Sequence, residues 1–383
     1  MYNLKLLKTN LFLNLKNILG WKTHRKIIVF DVDDYGNVRL HSKKAREELD
    51  KAGHKLIVRF DAYDSLENRV DLEILFETLS SVTDIKGNHA KFTAFSVPCN
   101  INFEKIEEEN FQSYQYELLP ETYEKFSALN PSVYGGTWDL WIEGISKGLL
   151  VPQFHGREHL NLKVFEEKLK RKDVEVLTLL RNRSYTGITN TGYPTIDWSA
   201  AFDFWEFSEN TCFEPIIEDG LNAFEKVFGY RSVHFNSPGS NENKIIHKFL
   251  VKNGIKFIDT PFIKKEHQGN SRYKNEINFT GKQNNLDMIF NVRNVVFEPT
   301  EEKGIDWINY TLRQIEAAFR WNRPAIISSH RVNFCGNISE KNREAGINSL
   351  KRLLKEIMIK WPEVEFMSSV ELMEHYRNAG KFN

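Results

Sequence analysis

The chain is predicted to fold as a single α/β domain, a closed or distorted barrel of parallel strands wrapped by helices and topped by inserted rim loops. Three observations predict it. Short β-rich apolar runs alternate with amphipathic helical patterns along most of the 383 residues, the order that builds a mainly parallel sheet. About eight such units occur, enough to close on themselves. Residues capable of chemistry also stand directly after the apolar runs, as they do where a sheet opens its site at the strand carboxyl ends.

The first strand is read at KIIVF, residues 26–30, and is followed by a helix in SKKAREELDKAG that opens on a serine cap and stops at glycine. The next strands are AKFTAFSV (90–97) and LLVPQF (149–154), the latter leading into the helical NLKVFEEKLKRK. SVHF (232–235) and IKFI (255–258) flank the Asn-capped, Gly-terminated pattern NENKIIHKFLVKNG. VRNVVF (292–297), AIIS (325–328) and VEFM (364–367) complete the set, separated by GIDWINYTLRQIEAAFRW and KNREAGINSLKRLLKEIMIKW. Segments 98–148 and 262–290 break the rhythm with Asn, Gln, Glu and aromatic residues and are read as insertions that shape a rim. No Pro/Gly/Ser-rich linker divides residues 26–383, which are taken as one barrel domain.

Composition narrows the function classes. Hydrophobic residues at 41% and aromatic residues at 13% build a sizeable core. Lys plus Arg and Asp plus Glu balance at 52 each, with no long basic stripe, which removes the electrostatic footprint of a nucleic-acid binder. Cys99, Cys212 and Cys335 are odd in number, far apart and free of any CxxC pair, which points to a reducing compartment. No apolar run is long enough to span a bilayer, and no secretory h-region precedes a cleavage site, so a cytoplasmic location is expected. Residues 1–25 carry Lys5, Lys8, Lys16, Lys22 and Arg25, no acidic residue, and Leu4, Leu7, Leu11, Leu15 and Ile18 at helical spacing. They form a basic amphipathic segment, suited to packing across a barrel end or to peripheral contact with the inner face of a membrane.

Five strand ends bring chemistry to one face. DVDDYG follows the first strand with Asp31, Asp33 and Asp34; HGREH follows the third with His155 and His159; NSPGSN follows SVHF; Asp259 follows IKFI; and SHRVN follows AIIS with His330. Adjacent carboxylates repel and lose solvation when covered, so DVDDYG is either a solvated turn or the anchor of something positive. Imidazoles four apart lie on one side of a helical turn at chelating distance. One carboxylate and two neutral imidazoles make a facial set for Zn²⁺ or a similar divalent ion, with open positions for water and substrate. Asp34 is then the carboxylate ligand beside His155 and His159, and Asp33 stays free to accept a proton from water on the ion.

This order of DD-x-G, H-x-x-x-H, a Pro-Gly turn and a late strand ending in His resembles the polysaccharide deacetylase (NodB-homology) superfamily of metal-dependent carbohydrate esterases, over roughly residues 26–340. The resemblance implies a distorted (β/α)7 barrel, Asp33 as general base, Asp34, His155 and His159 as ligands of a divalent ion (zinc, with Co, Ni or Mn as alternatives) and His330 as general acid. Where that family carries an Arg that orients the catalytic Asp, this chain has Asn236, and Arg231, Arg293 and Arg331 are the candidates to supply the charge. Asp259 matches the family's later Asp motif loosely.

The expected activity is removal of an N- or O-acetyl group from a carbohydrate. The turn of Asn236, Pro238 and Gly239 offers a backbone N–H to the oxyanion, and Trp138, Trp141, Tyr134 and Phe154 are candidate platforms for sugar rings. Two other readings compete. A glycoside hydrolase would pair Asp33 with Glu158, Asp259 or Glu298, and a sugar-binding or assembly protein would keep the scaffold without turnover.

Overall fold

The structure, a computed structural model, describes residues 13–188 and 190–379. Thirteen strands are present among them: β1 Ile27–Tyr35, β2 Phe92–Ser96, β3 Cys99–Ile101, β4 Tyr116–Leu118, β5 Leu150–Phe154, β6 His234–Phe235, β7 Phe257–Asp259, β8 Ile263–His267, β9 Tyr273–Ile277, β10 Ile289–Asn291, β11 Val295–Val296, β12 Ala325–His330 and β13 Glu365–Met367. Nine form one sheet in the order β10-β7-β6-β5-β2-β1-β12-β11, with β13 paired to the start of β1. Every pairing within it is parallel. The edge strands β10 and β11 are consecutive in the chain and separated only by Val292, Arg293 and Asn294. Four Cα steps reach at most about 14 Å. The sheet is therefore curled into a half-barrel whose edges face each other across a three-residue seam, and helices surround it.

Strand β1 explains the layering. All nine of its residues are buried, as expected of a parallel strand covered on both faces. Ile28, Phe30 and Val32 face the surrounding helices and join the main core. Ile27 and Val29 point inward with Ile326, Phe257 and Ile289, where Trp21, Leu372 and Met373 plug the amino end. The plug comes from helix Ser369–Asn378, capped by Ser368, and from the segment before β1. Above this apolar floor the inward positions turn polar, beginning with Asp31 and Asn291 (3.1 Å), so the interior passes from a dry base to a reactive mouth.

Several expectations change. The run at residues 292–297 yields only the two-residue β11, because the Asn294 side chain accepts from the Ile326 backbone N–H (2.8 Å) and donates to the Pro324 carbonyl (2.9 Å), standing where a paired backbone would be. Strand β10 begins inside the segment 262–290 expected to be wholly inserted. The rest of that segment carries the β8–β9 hairpin, and residues 98–148 carry the β3–β4 hairpin with helices Leu119–Leu129 and Thr137–Ser146. Residues 1–12 of the basic amphipathic segment expected over 1–25 lie outside the described residues. Its described part is tied to the amino end of the barrel, where Arg323 donates to the carbonyls of Asn17 (2.9 Å) and Ile18 (2.6 Å). Among the described residues no helix is long and apolar enough to cross a membrane. Cys99 and Cys335 are buried free thiols and Cys212 is an exposed one.

Candidate active site

Neighbouring residues on a strand point to opposite faces, yet Asp33 and Asp34 both line one cavity of about 750 Å³ at the carboxyl rim. The irregularity lies in β1 itself. Against β2, Val32 pairs with Ala94 and Tyr35 with Ser96, so β1 spends one more residue than its partner. Asp34 takes a left-handed φ of 74° inside this bulge. A bulge re-aims side chains, and here it turns two adjacent carboxylates into the same space.

His155 and His159 arrive from the end of β5, but not on a helical turn. Gly156 has a φ of 88° and breaks the segment into an irregular loop. A Cβ at Gly156 would stand 3.1 Å from the Glu158 carbonyl oxygen and 3.4 Å from Pro238, so this loop packs tightly on the Pro238–Ser240 turn. The loop brings the imidazole centroids to 5.1 Å. His155 Nε2 lies 3.5 Å and His159 Nε2 3.0 Å from Asp34 Oδ1, and one ligand atom from each of the three residues falls within 4.8 Å of the others.

The hydrogen bonding shows what this triad suits. His155 Nδ1 sits 2.8 Å from the Asn236 carbonyl, an acceptor only, so Nδ1 carries the hydrogen. In the neutral ring Nε2 then presents its lone pair to a carboxylate oxygen, an arrangement that a shared cation stabilises. Burial pushes the His159 imidazole toward its neutral, ligating form, although Asp34 pulls the other way. Burial opposes ionisation of Asp34, but the two imidazoles and the Arg39 guanidinium hold its carboxyl well below the usual range. The donor set thus fits a divalent cation.

Asp33 stands beside the triad and is held by other partners. Arg293 grips it with two bonds, Nη1 to Oδ2 (2.6 Å) and Nη2 to Oδ1 (2.8 Å), and Asn236 Nδ2 donates to Oδ1 (2.9 Å). Arg293 is the middle residue of the seam between β10 and β11, and its guanidinium rests on the Phe95 ring at 4.9 Å. Arg293 Nε also donates to Asp259 Oδ2 (2.6 Å). Asp259 is further held by Asn291 (2.6 Å) and His234 (3.0 Å). Burial works against its charge, but Arg293 and His234 hold Asp259 down to about 2. Beneath it the fully buried Asp31 is raised well above the ordinary range by burial and by Asp259.

The register of β1 and β12 places His330 opposite Asp33. His330 Nδ1 contacts Glu298 Oε1 at 2.6 Å, and Nε2 lies 3.8 Å from Asp33 Oδ2. Glu298 is fixed by Arg59 Nη2 (2.7 Å) and Asn333 Nδ2 (2.9 Å). Helix Glu340–Lys360 presses on this support: a Cβ on Gly346 would lie 1.7 Å from the Asn333 carbonyl oxygen. Burial disfavours the imidazolium, but the Glu298 carboxylate outweighs it and raises His330 to about 9.

Other expected residues sit elsewhere. Trp141 is fully buried and donates to Tyr123 Oη (2.9 Å) and Glu67 Oε1 (3.2 Å), while Trp138 packs on Trp141 and Phe228. Both belong to the face that helix Thr137–Ser146 turns to the core, as do Tyr134 and Phe154 in their own elements. The aromatic wall of the cavity is instead Phe60, Tyr185 and Trp198. Arg331 is buried against Asp64 (2.8 Å) and Glu67 (2.9 Å), and Arg231 lies on the surface with Glu225. Glu158 is taken up by Arg157 and Tyr114, and Glu298 and Asp259 by the partners above; of these three carboxylates Asp259 lines the cavity with Asp33, while Glu158 and Glu298 do not. Gly239 lines the cavity with a φ of 70°, and Pro238 buttresses the turn from behind. The same turn adds Ser237, unremarked in the sequence, whose buried hydroxyl has no partner and whose residue lines the cavity.

No family model matches the chain, and no curated protein matches it in sequence. Among solved structures it is similar to a probable polysaccharide deacetylase from Pseudomonas aeruginosa PAO1, with a TM-score of 0.48 and 10% identity over 94% of each chain. It is also similar to a putative polysaccharide deacetylase from Mycobacterium smegmatis, with a TM-score of 0.44 and 12% identity over 94% of this chain and 93% of that one. A third similar structure is Puue allantoinase, with a TM-score of 0.46 and 10% identity over 95% and 94%.

Proposed function

We propose that the protein is a metal-dependent hydrolase that removes an acetyl group from the nitrogen or oxygen of a carbohydrate. The observation that carries this reading is the buried Asp34, His155 and His159 triad with Asp33 and His330 on the same cavity. Asp34, His155 and His159 would hold the ion, and their one oxygen and two nitrogens suit zinc, with cobalt, nickel or manganese as alternatives. When bound, such an ion supplies Lewis acidity that acidifies water and polarises an acyl carbonyl.

The remaining chemistry belongs to the side chains. Asp33, oriented by Arg293 and Asn236, accepts the proton of the attacking water. The Ser237 hydroxyl, buried and without a partner, is available to donate to the oxyanion. His330, kept protonated by Glu298, donates its Nε2 proton to the departing amine or alcohol. Phe60, Tyr185 and Trp198 offer apolar faces to a sugar ring. The test is acetate release from acetylated oligosaccharides by metal-loaded protein. Release without new reducing ends supports the reading, whereas bound sugar and metal without product would make the chain a binding protein.

The pH profile carries its own prediction. His330 donates only while protonated, so with its ionisation raised to about 9 the rate holds below that value and falls as pH rises through it. Glu298→Gln removes the charge that raises it, and the alkaline limb of kcat should drop toward the unperturbed histidine value of about 6.5. A limb that stays in place would remove His330 as the acid.

A further inference from the structure

A second cavity, of about 900 Å³, opens beside the first, between the β8–β9 hairpin and residues 242–248. Thr260, immediately after β7, lines both cavities. Two side chains in the wall of the second cavity are almost wholly buried, Glu242 at 1% exposure and His247 at 4%, and each leaves one polar atom unmatched: Glu242 Oε2 and His247 Nε2. Their bonding senses follow from their neighbours. Lys264 pairs with Glu242 Oε1, so Oε2 is an acceptor with nothing to accept. Asn284 Oδ1 accepts from the backbone N–H of Leu286 (2.9 Å) and Met288 (3.0 Å), which turns its amide nitrogen to His247 Nδ1 at 3.2 Å. Nδ1 therefore accepts. Burial, with Lys264 and Lys244 nearby, keeps the ring neutral by pushing it down to about 3, so Nε2 bears the hydrogen and is a donor with nothing to receive it.

An unmet donor and an unmet acceptor in one cavity call for hydroxyl groups, which do both. Ile245, Ile277 and Leu286, at 36%, 57% and 37% exposure, stand in the lining among Lys244, Lys248, Lys274 and Lys282, and these three apolar side chains suit the C–H faces of sugar rings. We propose that this cavity is a second saccharide subsite, which takes further sugar units of the chain whose acyl group enters the first cavity past Thr260. The substrate is then an oligosaccharide or polysaccharide rather than a single sugar. The identity of the bound chain rests on the deacetylase reading, while the subsite itself rests on Glu242, His247 and the shared wall.

The test is binding of the full chain to an array of defined glycans, from monosaccharides to long oligosaccharides, for wild type, His247→Phe and Ile277→Asp. Ile277 is exposed, so the second variant keeps the fold, which an unchanged melting temperature checks. Wild type should bind longer glycans more tightly, and both variants should lose that gain by roughly tenfold, the loss of one or two contacts, with metal content unaltered. Length dependence that survives in both variants, or is absent from wild type, overturns the subsite. Lost length dependence without acetate release from any acetylated glycan would keep the subsite and sink the deacetylase reading; acetate release with indifferent variants would do the reverse.

Discussion

Asparagine at position 33 should leave the metal bound and lower acetate release by about 10²–10⁴-fold, the contribution of a positioned general base. An amide keeps the shape of the Asp33 side chain but cannot accept the proton of water at neutral pH. It also sets an N–H₂ group against donors, because Arg293 and Asn236 both point hydrogens at the native carboxylate. The loss therefore combines missing basicity with a disturbed orientation. Metal content measured beside kcat separates the roles of the two neighbouring carboxylates. An ion lost on Asp33→Asn would move Asp33 into the ligand set, and an unchanged rate would remove it as the base.

The double change His155→Ala, His159→Ala should abolish metal binding and reduce turnover to background together. It removes both imidazoles that face Asp34 Oδ1 and leaves one carboxylate, too few donors for a structured divalent site. The vacated volume lies at the cavity wall, next to a loop already supported by the packing of Gly156 on Pro238, so the barrel should remain folded, as its circular dichroism would record. Equal metal occupancy in wild type and the double variant would refute the ligand assignment.

How far these residues are legible in sequence depends on what each signal reports. Apolar runs followed at once by Asp, His or a Pro-Gly turn mark strand ends, and parallel strands deliver their ends to one face; thus Asp33, Asp34, His155, His159 and His330 come together. The bulge that lets Asp33 and Asp34 share a cavity has no period of its own in the chain. Arg293 is hidden differently. It stands inside an apolar run that reads as one strand, and a guanidinium there has to find carboxylates; only the seam between β10 and β11 places it over Asp33 and Asp259. Glu298 follows the same run and reaches His330 through the β11–β12 pairing. Trp138 and Trp141 mislead because an aromatic stripe looks alike on a core face and on a binding wall, and helix Thr137–Ser146 turns these two inward. Trp198 and Tyr185, which do line the cavity, come from a long irregular stretch with no periodicity to read.

Crystals soaked in a zinc salt and measured across the zinc absorption edge test the ion directly. A single anomalous peak should stand about 2.0–2.2 Å from Asp34 Oδ1 and from Nε2 of His155 and His159, with Asp33 and His330 outside its coordination. A cavity without a peak, or a peak ligated by other residues, would contradict the assignment on which the proposed chemistry depends.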